Sequence, residues 1–328
     1  MSLLRASLLV ATALALAVAG KGGAADASVL QGRSLAAPGR VLTLALTGRH
    51  VAFAVGTTRK QCPQVQLWLT ESNTRHRFPW RLAGCKEGPS TGFGIPSVAV
   101  AKTRIIWLAY IGGNLRDWML WTATPTRKKA RQLRFVERDV DAPAPIVLGP
   151  GTAEGVPFAV DNEIVYLGDD GRAIFKATVG SPVRALAAGA GPAGLKIAAL
   201  LANGSVVGLD RAGREVMAQM YPAAAVTAVR VMALGVAVQV GSVVQIVSPR
   251  SDERVTVRLP ARSTMLDAAQ RRILHARAGD LWAVRIAGGR TTRVVDATAA
   301  LPAYGQIEQQ GLAWSRGSTL RWQPGALP

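Results

Sequence analysis

Short apolar runs separated by turn residues make up most of this chain. After residue 27, strand-like runs of about five to eight residues alternate with Gly, Asn, Asp or Arg-Gly turns. The segment 50–55 (HVAFAV), which follows the turn Thr47-Gly48-Arg49, is an example. Alternation with period two predicts β-strands, and the 3.6-residue period of long amphipathic helices is missing. The sequence therefore predicts an all-β protein.

The predicted strands recur in groups of four. The first group comprises residues 41–46, 50–55, 65–70 and 77–82. The third opens with GVPFAV and EIVYL, which echo GIPSVAV and RIIWL in the second, and is predicted to comprise residues 155–160, 163–167, 173–178 and 183–187. Units of four strands recurring about every 40 residues are typical of a β-propeller, in which each sheet is one blade.

The end of the chain predicts how the ring closes. Only three strands, in residues 304–308, 311–315 and 319–323, follow the last complete group, and residues 28–35 (SVLQGRSL) form a spare strand before the first. We expect this N-terminal strand to complete the last blade. The sequence thus predicts one propeller domain in residues 28–328 with seven blades, and six blades is the alternative.

The segment 189–194 (GAGPAG) resembles the glycine-rich turn of a flavin or nicotinamide domain. Such a site needs a preceding strand, a following helix and an acidic residue about 20 positions on. Residues 195–202 would give only a short helix before Asn203-Gly204, which is the pair most favoured in a two-residue hairpin turn. We therefore interpret GAGPAG as a loop joining two blades and expect no cofactor, with dinucleotide binding as a minor alternative.

The first 27 residues have the features of a secretory signal peptide. Arg5 precedes an uncharged apolar run, and two segments fit a cleavage site, Ala17-Val18-Ala19 and Ala25-Asp26-Ala27, of which the second is favoured because it leaves the N-terminal strand intact. We therefore expect a secreted, periplasmic or cell-surface protein. The uncharged run at residues 231–249 is long enough to span a membrane, but its valines and the Gly241-Ser242 pair favour two strands and a turn, so no integral membrane segment is expected.

The chain is strongly basic. Its formal net charge is +19, from 39 Lys and Arg residues against 20 Asp and Glu residues. Such a surface attracts polyanions through a field that salt screens. The basic residues are dispersed, however, and the one dense group, Arg127-Lys128-Lys129 with Arg131, is interpreted as a solvated turn. A polyanion is therefore a secondary partner prediction, and nucleic acid is disfavoured.

Two cysteines are predicted to pair. In a four-stranded meander, the loops from second to third strand and from fourth strand to the next blade emerge on one face. Cys62 lies in the first kind of loop and Cys85 in the second, and an exported chain meets an oxidising compartment. We expect a Cys62–Cys85 disulfide on this looped face.

Other motifs indicate no catalytic or metal centre. Residues 88–92 (GPSTG) match the hydrolase pattern G-x-S-x-G, but the strand and helix which that motif needs are missing. Asp169-Asp170-Gly171 lacks the later ligands of a calcium loop and predicts a tight turn. The three histidines are widely spaced in or beside strands, so no metal site is expected.

Several segments resemble the repeats of exported bacterial TolB-type propellers. These are residues 47–54 followed by 65–69, and residues 210–215, although the Pro-Asp-Gly turn usual in that family is missing. Members of the family bind other proteins or envelope components and mostly have no catalytic centre. The resemblance therefore implies a propeller that acts as a binding scaffold.

The leading hypothesis is a non-catalytic propeller whose looped face binds a protein or a cell-envelope component, because function in such scaffolds lies in surface loops. The candidate binding residues are Lys86, Glu87, Asn114, Arg116, Asp139, Asp141 and Glu154. The alternative is a hydrolase or lyase that acts on an anionic polysaccharide in the central channel.

Overall fold

A computed structural model describes residues 32–56, 62–80, 92–269, 271–287, 289, 291–295, 303–308 and 311–325. These residues form 28 β-strands in four-stranded antiparallel sheets, and the described part of the chain contains no α-helix. The all-β prediction is therefore confirmed. The leader predicted at residues 1–27 lies outside the described residues.

The first four sheets follow one another along the chain. Sheet 1 contains β2 (Arg40–Thr47), β3 (His50–Gly56), β4 (Gln64–Leu69) and β5 (Thr74–Arg77). Sheet 2 contains β6 (Phe93–Ala101), β7 (Arg104–Gly112), β8 (Leu115–Ala123) and β9 (Arg131–Asp139). Sheet 3 contains β10 (Ile146–Leu148), β11 (Gly155–Val160), β12 (Glu163–Gly168) and β13 (Ala173–Thr178). Sheet 4 contains β14 (Val183–Ala188), β15 (Leu195–Leu201), β16 (Ser205–Asp210) and β17 (Glu215–Met220).

The remaining three sheets continue this order, except that the last includes a strand from the start of the chain. Sheet 5 contains β18 (Val226–Met232), β19 (Gly235–Val240), β20 (Val243–Ser248) and β21 (Ser251–Arg258). Sheet 6 contains β22 (Thr264–Ala269), β23 (Arg272–Arg277), β24 (Asp280–Arg285) and β25 (Thr291–Val295). Sheet 7 contains β26 (Ala303–Glu308), β27 (Gly311–Arg316), β28 (Thr319–Pro324) and β1 (Arg33–Ala36). In it, β1 pairs with β28 so that Arg33 lies opposite Trp322.

Neighbouring sheets bury apolar faces against each other. The first or second strand of each sheet contacts the next sheet: β2 contacts β6, β6 contacts β11, β11 contacts β14, β15 contacts β18, β18 contacts β22, β22 contacts β26, and β26 contacts β2. A cluster of buried apolar side chains fills each of these seven contacts. The core is thus divided among the interfaces between sheets, which explains why groups of four alternating strands recur throughout the sequence.

Polar side chains also join the sheets. The Gln239 amide donates to the Ser263 carbonyl at 2.7 Å and accepts from the Met265 amide at 2.7 Å, which joins sheet 5 to sheet 6. Gln306 Oε1 accepts from the Leu46 amide at 2.7 Å and joins sheet 7 to sheet 1. Because these backbone groups are buried, the glutamines satisfy hydrogen bonds that the ladders leave open. Nothing in the local sequence pattern predicts these bonds.

The predicted boundaries of the third group were wrong by one strand. Sheet 3 begins with β10, and residues 183–188 open sheet 4 instead of ending sheet 3. β10 has only three residues and is flanked by prolines and glycines, so it shows no alternation in the sequence. As a result, GAGPAG joins the first and second strands of one sheet and not two blades, and Pro192–Gly194 forms a single 3₁₀ turn before β15.

The fourth strand of sheet 1 was also predicted too late in the chain. Residues 77–82 are predicted as a strand, but β5 ends at Arg77 and the described residues 78–80 are not in a strand. Phe78 and Trp80 instead pack into the core between sheets 1 and 2. Their apolar alternation therefore reflects burial in a connection and not strand pairing.

Candidate functional site

The antiparallel strands place the connections at two ends of each sheet. We call the upper end the one that carries the loops from second to third strand and from fourth strand to the next sheet, and the lower end the other. Contacts between sheets 2 and 3 agree with this assignment. At the upper end, Arg138 near the end of β9 forms an ion pair with Asp161 in the β11–β12 turn. At the lower end, Arg104 at the start of β7 donates a hydrogen bond to the Asp169 carbonyl. The looped face of the sequence prediction is the upper end.

Four of the predicted binding residues lie together at the upper end of sheet 2. Asn114 is in the β7–β8 turn and Arg116 is in β8, while Asp139 ends β9 and Asp141 follows it. The strand register sets Leu115 opposite Asp139, and the Val140 amide donates to the Asn114 carbonyl at 3.1 Å. The Asp141 amide donates to Asp139 Oδ1 at 3.0 Å, which fixes the turn that leaves the sheet.

The other three predicted residues do not join this group. Lys86 and Glu87 lie outside the described residues, and so does Cys85, so the Cys62–Cys85 disulfide stays a prediction. Glu154 lies at the lower end, because β10 crosses sheet 3 between Asp141 and Glu154. The placement of Glu154 with the upper-end residues was therefore wrong.

Glu154 has a structural role at the lower end. Its carboxylate forms ion pairs with Lys196 Nζ at 3.0 Å and with Arg211 Nη2 at 2.8 Å. Its backbone carbonyl accepts a hydrogen bond from the Asp169 amide. These contacts connect the β10–β11 loop of sheet 3 to sheet 4. Glu154 thus joins two sheets and is already engaged by two cations.

Sheet 2 has the longest set of strands, and its upper end exposes an apolar side chain. All four of its strands have nine residues, whereas strands of the other sheets have three to eight. Leu115 is 50% exposed at the start of β8, and the same side of the sheet carries Asp117, Glu137 and Asp139. Single exposed apolar side chains are common on protein surfaces, but this one lies beside the predicted binding residues Asn114 and Asp139. Sequence reasoning missed its exposure because alternation alone places Leu115 at a strand end.

Arg116 is held against two aromatic rings rather than extending into solvent. Its guanidinium carbon lies 4.8 Å from the Tyr110 ring centre and 5.9 Å from that of Trp118, and the two rings are 5.2 Å apart. Cation–π contacts of this kind stabilise by about 0.5–2 kcal/mol. Arg116 therefore orders the upper end of sheet 2, and its substitution would alter the shape of that end as well as its charge.

A small cavity lies where the first strands of several sheets meet. Its volume is about 210 Å³, and its lining includes Thr43, Ser97, Arg230, Asp267 and Gln306. Pockets that bind small molecules usually have volumes of about 300–1,000 Å³. This cavity alone is therefore too small to enclose a polysaccharide chain. Across the described residues, no group of three His, Cys, Asp or Glu side chains is placed to hold a metal ion.

The charged groups of this cavity neutralise each other. Arg230 Nε lies 3.3 Å from Asp267 Oδ1, Arg230 Nη1 donates to the Val229 carbonyl at 2.7 Å, and Nη2 donates to the Leu266 carbonyl. Burial lowers the pKa of Arg230, and the charge of Asp267 opposes that shift. Through the hydrogen bonds to Val229 and Leu266 and the ion pair with Asp267, the guanidinium connects sheet 5 to sheet 6.

No family model matches this chain, and no curated protein matches it in sequence. Among solved structures, the chain is similar to one in the crystal structure of the mitotic checkpoint complex, with a TM-score of 0.57, 16% identity, and coverage of 91% of this chain and 96% of that chain. The chain has a β-propeller fold. A structure of Saccharomyces cerevisiae Sqt1 covers 90% of this chain and 98% of its own at 10% identity, with a TM-score of only 0.45. Both are WD40-like propellers.

Without a family match, the TolB-type resemblance stays a prediction. The similarity in fold supports a repeat protein built from propeller blades. The sequence identity of 16% is too low to transfer a ligand from that structure to this chain. In the part of the propeller that the structure describes, no helix is long and apolar enough to cross a membrane. The run at residues 231–249 instead contains β19 and β20, joined by the predicted turn at Gly241-Ser242.

His275 in β23 is the most unusual titratable group of the propeller. Its side chain is fully buried, and neither ring nitrogen has a hydrogen-bond partner among the described residues. Burial, with a smaller contribution from the charge of Arg277, lowers its pKa to about 4 from the ordinary 6.5. A lowered pKa means that the unfolded chain binds more protons than the folded chain between these pH values.

We expect acid to destabilise the propeller through His275. As the pH falls from 6.5 to 4, this residue should lower the free energy of unfolding by about 3 kcal/mol in total, since one pKa unit corresponds to about 1.4 kcal/mol. Urea unfolding at pH 7 and at pH 4.5 measures the loss. A His275→Leu variant should show a much smaller loss, while some remains because burial also lowers the pKa of His50. An unchanged pH dependence in that variant would exclude this role.

Proposed function

We propose that this protein is an exported, non-catalytic β-propeller that binds a protein or a cell-envelope component through the upper end of sheet 2. The observation that carries the proposal is the exposed Leu115, which follows Asn114 and lies opposite Asp139 at the end of the longest sheet. Protein interfaces typically have an apolar centre and a polar rim. This end offers both on a rigid, hydrogen-bonded support.

We further propose that the seven sheets are the blades of one closed ring in residues 28–328. Contacts that run from each sheet to the next, and from sheet 7 back to sheet 1, support this arrangement. The pairing of β1 with β28 supports a ring fastened by an N-terminal strand. The signal-peptide pattern in residues 1–27 supports export and a secreted, periplasmic or cell-surface location.

The fold likeness fits a scaffold role. The similar propeller chain in the mitotic checkpoint complex is part of an assembly, as the name of that structure states. A propeller offers many loops on a support that does not change shape, which suits recognition of a large partner. The proposal therefore assigns binding to the upper end and no chemistry to the central cavity.

The upper-end site is tested with a triple variant that preserves the fold. In Asn114→Ala, Asp139→Asn and Asp141→Asn combined, the Asp139 side chain keeps an oxygen for the Asp141 amide, so the turn should persist. Loss of the Asn114 amide and of two negative charges should weaken partner binding by about threefold to tenfold, since an exposed ion pair typically contributes about 0.2–1 kcal/mol. Co-purification from the native envelope, followed by mass spectrometry, identifies the partner and measures its recovery.

A matched variant at the lower end serves as the control. Glu71→Gln with Glu215→Gln removes two negative charges, as the triple variant does, from exposed side chains at the opposite end. Recovery of the partner should be unchanged by this control. Equal recovery with both variants would contradict the proposed site, and equal loss with both would mean that net charge controls binding.

A further inference from the structure

Five basic side chains lie close together at the lower end of sheet 2. Arg127, Lys128 and Lys129 are in the β8–β9 connection, Arg131 begins β9, and Arg104 begins β7. Thr122 connects two of these residues. It lies opposite Arg131 in the strand register, and its hydroxyl accepts a hydrogen bond from Arg104 Nη1 at 3.3 Å. We call the five basic residues Arg104, Arg127, Lys128, Lys129 and Arg131 the basic corner.

The like charges of the basic corner act on one another. The pKa of Arg104 is lowered, first by burial and next by the positive charge of Arg131, and Arg127 adds to the shift. Asp170 and Asp169 oppose it without cancelling it. Asp169 is itself engaged by an ion pair with Lys102. The positive charges of Arg131 and Arg127 therefore act on Arg104 in the folded protein, and a bound anion would relieve this repulsion.

Several other basic residues of the lower end have carboxylate partners. Arg49 pairs with Glu71, Lys196 and Arg211 pair with Glu154, and Arg214 pairs with Asp210. Over the described residues, by contrast, no carboxylate lies within 4.0 Å of the charged groups of Arg127, Lys128, Lys129 or Arg131. Three of the four are adjacent in a single exposed turn.

The turn holds these side chains outward through its backbone. The Arg127 amide donates to Thr124 Oγ1 at 3.1 Å, and the Arg127 carbonyl accepts from the Thr124 amide at 3.4 Å. Because these bonds do not use the side chains of Arg127, Lys128 and Lys129, all three charged groups remain available to a ligand. The solvated turn expected from the sequence is thus a fixed turn with free cationic side chains.

The chemistry of the basic corner selects one class of polyanion. Single-stranded nucleic acids are bound by positive grooves in which successive bases stack on aromatic rings. The large exposed apolar side chains of the described residues are Leu115, Phe135, Met220 and Val255, and none of them lies in the corner. Within the described part of this corner, cations stand beside the hydroxyls of Thr124 and Thr126 and no large apolar side chain is exposed. Such a surface suits a polymer that offers acidic groups and hydroxyls.

We infer that the basic corner binds an acidic polysaccharide. Arg residues provide paired donors for carboxylate or sulfate groups, and the two lysines add point charges along the same turn. This site lies at the opposite end of sheet 2 from the partner-binding surface proposed above, so the two proposals stand or fall separately. The inference also assigns one location to polyanion binding, which the net charge alone would distribute over the whole surface.

The test uses immobilised heparin as the acidic polysaccharide and measures affinity at several salt concentrations. In a variant with Arg127→Ala, Lys128→Ala and Lys129→Ala, affinity at low salt should fall about tenfold or more, and the slope of log affinity against log salt should fall by about two to three, as expected when that many charge contacts are lost. A charge-preserving variant, Arg127→Lys with Lys128→Arg and Lys129→Arg, should keep the salt slope and most of the affinity, because it keeps all three positive charges. Thermal unfolding confirms that both variants are folded.

A second triple variant separates the corner from general charge. Arg77→Ala, Lys176→Ala and Arg258→Ala remove the same three charges from exposed positions in sheets 1, 3 and 5. This control should bind heparin within about twofold to threefold of the unmodified protein, because diffuse charge contributes little at close range. Equal losses in the two triple variants, or no loss in the corner variant, would overturn the inference. Tighter binding of oligo(dT) than of heparin fragments of equal charge would also overturn it.

Discussion

Replacing Trp107 with alanine should lower the free energy of unfolding by about 3–5 kcal/mol, the usual cost of removing a buried aromatic side chain. Trp107 is fully buried between sheets 1 and 2. Its ring centre lies 5.4 Å from that of Trp80 with the planes at 72°, and 6.5 Å from that of Phe78. Alanine would leave a cavity at the centre of this aromatic group, which the rigid sheets could not fill. Guanidinium chloride unfolding measures the loss.

A Trp107→Phe variant is the control for this prediction. The indole nitrogen of Trp107 has no hydrogen-bond partner among the described residues, so phenylalanine loses volume but no hydrogen bond. Its cost should be about 1–2 kcal/mol, well below that of alanine. Similar costs for the two variants, or a cost of alanine near zero, would show that this interface contributes less to stability than its burial indicates.

Asp267→Ala is the second change with a large expected effect. It leaves the Arg230 guanidinium in a largely buried position without its carboxylate, and breaking a buried ion pair from one side typically costs about 3–5 kcal/mol. It also removes the oxygen that accepts from the Ala268 amide at 2.9 Å. The free energy of unfolding should therefore fall by several times the cost of losing a surface ion pair.

Removing both charges should recover most of that loss. The double variant Arg230→Met with Asp267→Leu leaves no buried charge at this site. Replacing a whole buried ion pair by apolar side chains is often neutral or stabilising. Chemical denaturation of the two single variants and the double variant gives the coupling energy between Arg230 and Asp267. Additive effects, with the double variant as unstable as the sum of the single variants, would contradict a direct coupling across sheets 5 and 6.

Much of the fold could be predicted because its determinants are local. The Asn203-Gly204 turn is an example: Gly204 has a φ of +90°, which glycine adopts without strain, and Asn203 Oδ1 accepts from the Ser205 amide at 3.0 Å. Apolar alternation identified most strands for the same reason. β10 was missed because three residues between prolines and glycines carry no periodic signal.

The missed strand explains why the candidate site could be predicted only in part. Each strand reverses the direction of the chain, so one uncounted strand moves Glu154 from the upper end to the lower end. Asn114 and Asp139 were placed together correctly because tight turns and continuous strands fix their positions within a single sheet. The exposure of Leu115 and the ion pairs of Glu154 depend on contacts between distant segments, which no local pattern contains.

The pairing of β1 with β28 has a consequence for how the chain acquires its structure. Arg33 meets Trp322, and Leu46 donates to Gln306 across 260 positions of sequence, so these contacts cannot form until almost the whole polypeptide has been synthesised. Until then, the apolar faces of sheets 1 and 6 have no neighbour. Contacts between such distant segments form slowly, and the nascent chain is exposed to aggregation during that interval. Its productive folding should therefore depend on chaperones that cover these two faces until the final strand arrives.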